Sequence, residues 1–116
     1  MALQRTKLAD IAFIAAAVGS IYANPAATKT VVQGLILHNT NNTTETVQVH
    51  VVPDSAGALG AAAAGNRILN IALTANDTLM VDFPYALTLT DTNDSLQAVT
   101  TTADKVTVMV LGDKDA

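Results

Sequence analysis

Two histidines are the residues of this sequence best suited to bind a transition metal. His38 and His50 lie near the ends of two apolar segments that could pair as neighbouring strands. A structural zinc site normally takes four ligands, and no further ligand accompanies the two histidines at a suitable spacing. By strand alternation, His50 faces away from a row of valines, which indicates a side chain directed to solvent or to a partner. We therefore expect no metal at these residues.

A second group with potential chemistry is the polar turn at residues 91–94. Asp91, Asn93 and Asp94 supply side-chain oxygens, which are the ligands that calcium prefers. Tight turns use the same residue types to hydrogen-bond their own backbone. No glutamate closes the loop, as one does in an EF-hand. A turn is the favoured interpretation, and a calcium site is the less favoured alternative.

The sequence contains no catalytic signature. No serine lies in the Gly-x-Ser-x-Gly context of a nucleophile. Asp10, Glu45 and Asp82 are scattered and suggest no acid–base pair. Gly57 and Gly60 are not followed by the Lys-Ser/Thr of a phosphate-binding loop. We predict that the protein is not an enzyme and uses no cofactor.

A two-residue hydrophobic period dominates the remaining sequence. Val47, Val49 and Val51 alternate with polar residues, as in a strand with one buried and one wet face. Similar runs recur about every 8–12 residues, separated by clusters of Asn, Asp, Thr, Gly and Pro. This pattern predicts an all-β fold, an antiparallel β-sandwich or jelly roll of about eight short strands. The predicted strands are a short one at Ile21 and Tyr22, then 29–38, 44–52, 67–73, 78–83, 85–89, 95–101 and 105–111.

The run at residues 29–38 alternates poorly, which predicts a strand covered on both faces. Residues 56–65, in contrast, are rich in Ala and Gly and show no periodic face. We predict a long exposed loop there, with a single helical turn at 61–64 as the alternative.

Composition limits the partners and the core. The 116 residues are enough for one domain, and 50% are hydrophobic but only 3% aromatic. In a core of small aliphatic side chains, the free energy gained by burial only narrowly exceeds the entropy cost of folding. This predicts stability shared with neighbouring subunits; an ordinary monomer is the alternative.

The net charge is −4 and no basic stripe is present, so we expect no nucleic-acid partner. Cysteine is absent, which excludes disulfides and thiolate sites.

The first residues resemble a secretory signal only superficially. Asp10 abuts the apolar run, and that run is too short to span a bilayer. A helix at 8–18 is conceivable because alanine favours helix, but its apolar stripe is poor. We predict an extended N-terminal arm over residues 1–18, followed by a β-sandwich domain over residues 19–116. The arm either docks on a partner or folds back on its own domain.

Several short motifs resemble those of small virion proteins encoded by tailed bacteriophages. The matching residues are Tyr22, Pro25 and Ala26, then Leu35, Leu37 and Asn39, then Leu73, Asp77, Thr78 and Leu79, and finally Val106 to Val110 with Gly112. The resemblance spans residues 20–112, with Ala27 and Thr74 where the family often has Gly and Ala. It implies a β-sandwich similar to capsid decoration (cement) proteins and to components of tails or head fibres.

The function predicted from these observations is that of a virion structural protein. A capsid decoration protein would stabilise the phage head through oligomeric contacts with the major capsid protein. We expect a homo-oligomer, for example a trimer, located in the virion and without a membrane partner. The predicted partner-contact residues are Leu8, Ile11, Phe13, Ala61 and Arg67. The alternative is a tail- or fibre-associated module that binds a receptor or carbohydrate, against which the scarcity of aromatic residues counts.

Overall fold

The computed structural model describes the backbone of residues 4–115 and the side chains of residues 7–115 other than residue 86. Within that range the chain forms eight strands and one short 3₁₀ turn, Ala64–Asn66. The strands are β1 (Gln4–Phe13), β2 (Gly19–Ala23), β3 (Lys29–Asn39), β4 (Glu45–Val52), β5 (Arg67–Leu73), β6 (Thr78–Leu89), β7 (Ser95–Thr100) and β8 (Val106–Asp115). The all-β prediction is confirmed.

The strands form two four-stranded antiparallel sheets. The first sheet has the order β1-β8-β3-β6 and the second has the order β2-β7-β4-β5. The pairs β1/β8, β2/β7, β3/β6 and β4/β5 are nested, so the chain resembles one long hairpin wound around itself. This is the jelly-roll arrangement. Except for the β4–β5 hairpin, every connection crosses from one sheet to the other.

The core lies between the two sheets and is almost entirely aliphatic. Alternate residues of each strand face inward, as the sequence pattern predicted. The buried apolar cluster contains Ile14, Tyr22, Val32, Leu35, Leu37, Val47, Val49, Leu73, Leu89, Leu96, Ala98, Val106, Val108 and Val110. Tyr22 is the one aromatic side chain among these buried residues. The packing therefore relies on side chains that each bury only a modest area.

The N-terminal segment belongs to the sandwich. Residues 4–13 form β1, which pairs with β8 at the edge of the first sheet. Of the two alternatives for the arm, this is the one in which the segment folds back on its own domain. Leu8 packs against the core, and pairing satisfies the backbone groups of β8 that would otherwise be exposed at the edge. The boundary predicted at residue 18 falls at the end of the crossing from β1 to β2, so the segment before it is part of the sandwich.

The segments predicted as two strands at 78–83 and 85–89 form the single edge strand β6. Val32 of β3 is opposite Leu87, whereas Gly34 is opposite Asp82, so residues 83–86 bulge outward beside Gln33. Pro84 lies in this bulge, where its missing N–H removes no ladder hydrogen bond. The proline thus bends the strand without ending it.

Asn39 connects three chain segments at one end of the sandwich. Its side chain is fully buried, and Nδ2 lies 2.9 Å, 3.0 Å and 3.2 Å from the carbonyl oxygens of Thr43, Leu73 and Thr74. Its Oδ1 accepts a hydrogen bond of 2.9 Å from the backbone N–H of Asn41. These contacts satisfy backbone groups where the chain leaves the sheets, which explains why an asparagine ends β3.

At the opposite end, Asn24 has the corresponding role after β2. Its Nδ2 donates to the carbonyl oxygens of Thr28 (2.7 Å) and Asp91 (3.0 Å), and its Oδ1 accepts from the hydroxyl of Thr30 (2.6 Å). The same hydroxyl lies 2.9 Å from the hydroxyl of Tyr22. Tyr22, the first residue of the phage-like motif, therefore supports the fold and is not available to a partner.

Replacing Asn39 should destabilise the protein strongly. In Asn39→Ala, buried carbonyl groups lose their donor, and each such group costs about 1–3 kcal/mol. We expect the free energy of unfolding, measured by urea denaturation, to fall by about 2–4 kcal/mol. The control is Asn42→Ala, the same substitution at an exposed position of the same turn. Similar unfolding midpoints for the two variants would contradict the role assigned to Asn39.

Candidate interaction surfaces

The two histidines do not form a common site. His38 lies on β3 and His50 on β4, and these strands belong to different sheets. The expectation that their strands pair is therefore wrong. The connection between them crosses the sandwich instead of forming a hairpin. The Nδ1 of His38 lies 2.7 Å from the hydroxyl of Thr78.

The expectation that His50 faces solvent or a partner is also wrong, because the side chain is buried. Its Nδ1 lies 3.1 Å from the carbonyl oxygen of Ala63 and 3.0 Å from Oδ1 of Asn66. Both are acceptors, so Nδ1 carries the proton that is donated to them. His50 does point away from the valine row, but the segment after β4 folds back over that face of the second sheet.

We call this segment, residues 53–66, the cover loop. Its side chains are mostly exposed, as predicted, but its backbone is fastened to the sheet by polar side chains. Gln97 donates to the carbonyl oxygen of Gly60 (2.9 Å), and Asn93 donates to that of Gly57 (2.8 Å). Within the loop, Asn66 donates to Ala61 and accepts from the N–H of Ala63. The loop is therefore an ordered surface feature.

Removing the side chain of Asn66 should release the cover loop and uncover His50. The lost hydrogen bonds correspond to about 1–2 kcal/mol, which should raise hydrogen exchange in residues 53–66 by roughly tenfold or more. Mass spectrometry of exchange in Asn66→Ala measures this effect. Asn70→Ala, at an exposed position on β5, is the matched control and should leave loop exchange unchanged. Equal protection in both variants would contradict this account.

A carboxylate cluster joins the start of the cover loop to the turn at residues 91–94. Oxygens of Asp54, Asp91 and Asp94 lie within 4.8 Å of one another. Asp94 accepts hydrogen bonds from the backbone N–H groups of Asp54 (2.9 Å), Asp91 (3.0 Å) and Thr90 (3.2 Å). This is the turn-stabilising role favoured from the sequence. Asp54 joins the group instead of Asn93, whose side chain binds the cover loop.

The ionised form of Asp94 is favoured by these contacts. Burial raises the pKa of Asp94, but the hydrogen bonds from the backbone of Asp91, Asp54 and Thr90 outweigh it and hold the pKa below its ordinary value. Asp94 thus stabilises the turn most when it is charged.

Stability should accordingly fall on acidification through this residue. Because the folded pKa is depressed, the contribution is present above the unfolded pKa of about 3.9 and is lost as pH falls towards the folded value. Asp94→Asn should therefore lower the urea midpoint more at pH 7 than at pH 3. Asp104→Asn, in another exposed turn, controls for the loss of one charge. An equal effect of Asp94→Asn at both pH values would overturn this explanation.

Large apolar side chains are scarce in this chain, yet several lie on its surface. Of the two tyrosines and two phenylalanines, Tyr85 is 98% exposed and Phe13 is 53% exposed. Phe83 is half-buried, and Tyr22 alone belongs to the core. Tyr85 and Phe13 are therefore the aromatic side chains most accessible to another molecule.

The structure divides the predicted partner-contact residues between two sheets. Ile11 and Phe13 are exposed on β1 of the first sheet. Leu8 is half-buried and packs against the core. Ala61 and Arg67 are exposed on the cover loop and at the start of β5, beside the second sheet.

Sequence reasoning missed two exposed residues of β6. Met80 is 74% exposed and Tyr85 is 98% exposed. Alternation placed Tyr85 on the same side as Leu87 and Leu89, but the bulge at 83–86 interrupts the alternation and turns Tyr85 outward. The proline preceding Tyr85 was the available signal.

The comparisons with known proteins identify no family. No protein-family model matches the sequence, and no curated protein matches it. The chain resembles a chain in the structure of infectious bursal disease virus, Gt strain, with 11% identity and a TM-score of 0.36. The match covers 97% of this chain but only 30% of the viral one, and at this TM-score it supports no functional argument. Within residues 4–115, no helix is long and apolar enough to cross a membrane.

Proposed function

We propose that this protein is a non-enzymatic structural component of a virion, and specifically a capsid decoration protein. The observation that supports this most strongly is the exposure of large apolar residues on a compact jelly roll. Large apolar residues are scarce in this chain and would stabilise its core if they were buried. Several are nevertheless exposed on the surface, namely Ile11, Phe13, Leu59, Met80 and Tyr85. Jelly rolls recur in viral capsid proteins, where they act as stiff blocks joined through their surfaces.

The cover loop is the surface that we assign to the capsid. It projects Leu59, which is 47% exposed, and is flanked by the exposed Arg67. Its alanines and glycines allow a partner backbone to approach closely, while the bonds from Gln97 and His50 keep the loop ordered before binding. Many weak contacts of this kind, repeated over a shell, give high avidity when several subunits bind together.

Cosedimentation with phage heads assembled without this protein tests the proposal. We expect saturable binding to the major capsid protein lattice, weakened at least tenfold in the double variant Leu59→Ser, Arg67→Glu. Tenfold corresponds to about 1.4 kcal/mol, which is reasonable for one apolar contact and one charge. Val18→Ser alters a similarly exposed apolar residue in the loop at the opposite end and serves as the control.

Two results would count against this assignment. Binding that the double variant does not weaken would remove the cover loop from the interface. The absence of binding to any head form would contradict the decoration role itself.

A tail- or fibre-associated carbohydrate-binding module is the second candidate, and Tyr85 is the observation that favours it. This side chain borders a shallow depression of about 260 Å³ that Phe83, Pro84 and Leu87 also line. Sugars commonly stack on such exposed aromatic faces, and jelly rolls also occur in lectins. Binding on a glycan array that is lost in Tyr85→Ser, without binding to heads, would favour this candidate over the first.

A further inference from the structure

An apolar row of side chains crosses the outer face of the first sheet, on the side turned away from the core. In the strand register, Ile36 of β3 lies between Met109 of β8 and Met80 of β6. Ile11 of β1 shares with Asp10 the bulge beside Met109. Met80 is 74% exposed and Ile11 is 61% exposed, while Ile36 and Met109 are half-buried. The row therefore runs from one edge of the sheet to the other.

The neighbouring rows have different chemistry at the two edges. From β1 to β6, one row contains Lys7, Leu111, Gly34 and Asp82, and the other contains Phe13, Thr107, His38 and Thr78. In the first row, Lys7 places a positive charge at the β1 edge and Asp82 places a negative charge at the β6 edge. Lys7 also pairs with Asp10 in its own strand, at 2.6 Å.

A depression lies next to the apolar row at Gly34. It has a volume of about 260 Å³ and is bordered by Ile36, Met80 and Leu111. A Cβ atom at Gly34 would lie 2.6 Å from the carbonyl oxygen of Val81, so a side chain cannot occupy this position without moving the backbone. The face thus combines protruding apolar residues with a permanent hollow.

The sequence of β3 is typical of a strand covered on both faces, but the described residues cover only one of them. Val32, Leu35 and Leu37 are buried in the core, whereas Ile36 on the other face is partly exposed. Strands with apolar residues on both sides usually have a second layer packed against them. None of the described residues supplies that layer, so this face is open to another molecule.

We propose that the second layer is a second copy of this chain, packed sheet to sheet about a two-fold axis parallel to the strands. This axis places β1 of one copy over β6 of the other, and β8 over β3. The apolar row then packs on itself, because Ile11 meets Met80 and Met109 meets Ile36 of the other copy. A two-fold contact must be self-complementary in this way.

The flanking row is complementary under the same operation. Lys7 of each copy faces Asp82 of the other, which gives two opposite-charge contacts at the rim. Leu111 of each copy lies over the hollow at Gly34. A two-fold axis perpendicular to the strands would instead place β1 over β1 and β6 over β6. Charge and shape together therefore select the parallel axis.

The area of this face is sufficient for a specific but modest dimer. Four strands about 4.8 Å apart, each of about ten residues rising about 3.3 Å, cover roughly 600 Å² per copy. Specific interfaces bury about 800 Å² per partner on average, and weak ones bury less. We therefore expect a dissociation constant of the order of micromolar. This contact would make the homo-oligomer a dimer or a multiple of dimers.

Sedimentation equilibrium across the micromolar range tests the association. The wild-type chain should show a monomer–dimer equilibrium, and Met80→Lys should weaken it at least tenfold by placing a charge in the apolar row. Ile68→Lys makes a similar change at a 41%-exposed residue of β5 in the second sheet and should have no effect. Thermal unfolding of both variants shows that they are folded, since both positions are exposed.

Cysteine cross-linking tests the orientation, and the chain has no native cysteine to interfere. Within one copy, Ile11 and Met80 lie at opposite edges of the sheet, about 14 Å apart, which is too far for a disulfide. On mild oxidation the double variant Ile11→Cys, Met80→Cys should form covalent dimers, whereas each single variant should remain largely monomeric.

Three results would overturn the proposal. They are a monomer at every concentration, an oligomer that Met80→Lys leaves intact, or covalent dimers that form equally well in the single variants. This inference does not rest on the decoration role, because dimerisation is measured without capsids. Failure of one proposal therefore leaves the other standing.

Discussion

Hydrogen bonds between a few buried or half-buried polar side chains and backbone groups at the two ends of the sandwich hold this fold together. A jelly roll sends almost every connection from one sheet to the other, so the backbone at each crossing leaves the strand ladder and needs other partners. Asn39 supplies them at one end, and Asn24 and Asp94 supply them at the other. Glu45 also does so, because its buried carboxylate accepts from the backbone of Thr102 and the amide of Asn41.

These contacts matter more here than in a protein with a larger core. The buried cluster consists of valine, leucine, isoleucine and alanine with a single tyrosine, so each buried side chain contributes a limited area. Each unsatisfied backbone group at a crossing would cost about as much free energy as the burial of one of these side chains contributes. Other large apolar side chains, among them Tyr85, Met80 and Ile11, lie on the surface instead of in the core.

Two residues of the phage-like motifs take part in these contacts. Tyr22 and Asn39, which belong to those motifs, are buried and hydrogen-bonded to their own chain. These two motif residues therefore stabilise the ends of the sandwich. The candidate contact residues lie elsewhere, on the cover loop, on the bulge of β6 and on the outer face of the first sheet.

The sequence by itself determined the class of fold and which residues of most strands face the core. Alternation is a local property, and a residue such as Val47 or Val49 is placed inward by the pleat of its own strand. Turn residues such as Asn76 and Asn93, both at positive φ, were likewise recognisable from their type.

Only the tertiary structure decided the surfaces, because these depend on contacts between residues far apart in the chain. His50 is covered by a loop that ends at residue 66, and Asp54 meets Asp91 and Asp94 only when the crossings are in place. Bulges in β1 and β6 interrupt the two-residue period, and they decide that Ile11 and Tyr85 point outward. Pairing register and loop docking are set by the global packing, which no local pattern in the sequence records.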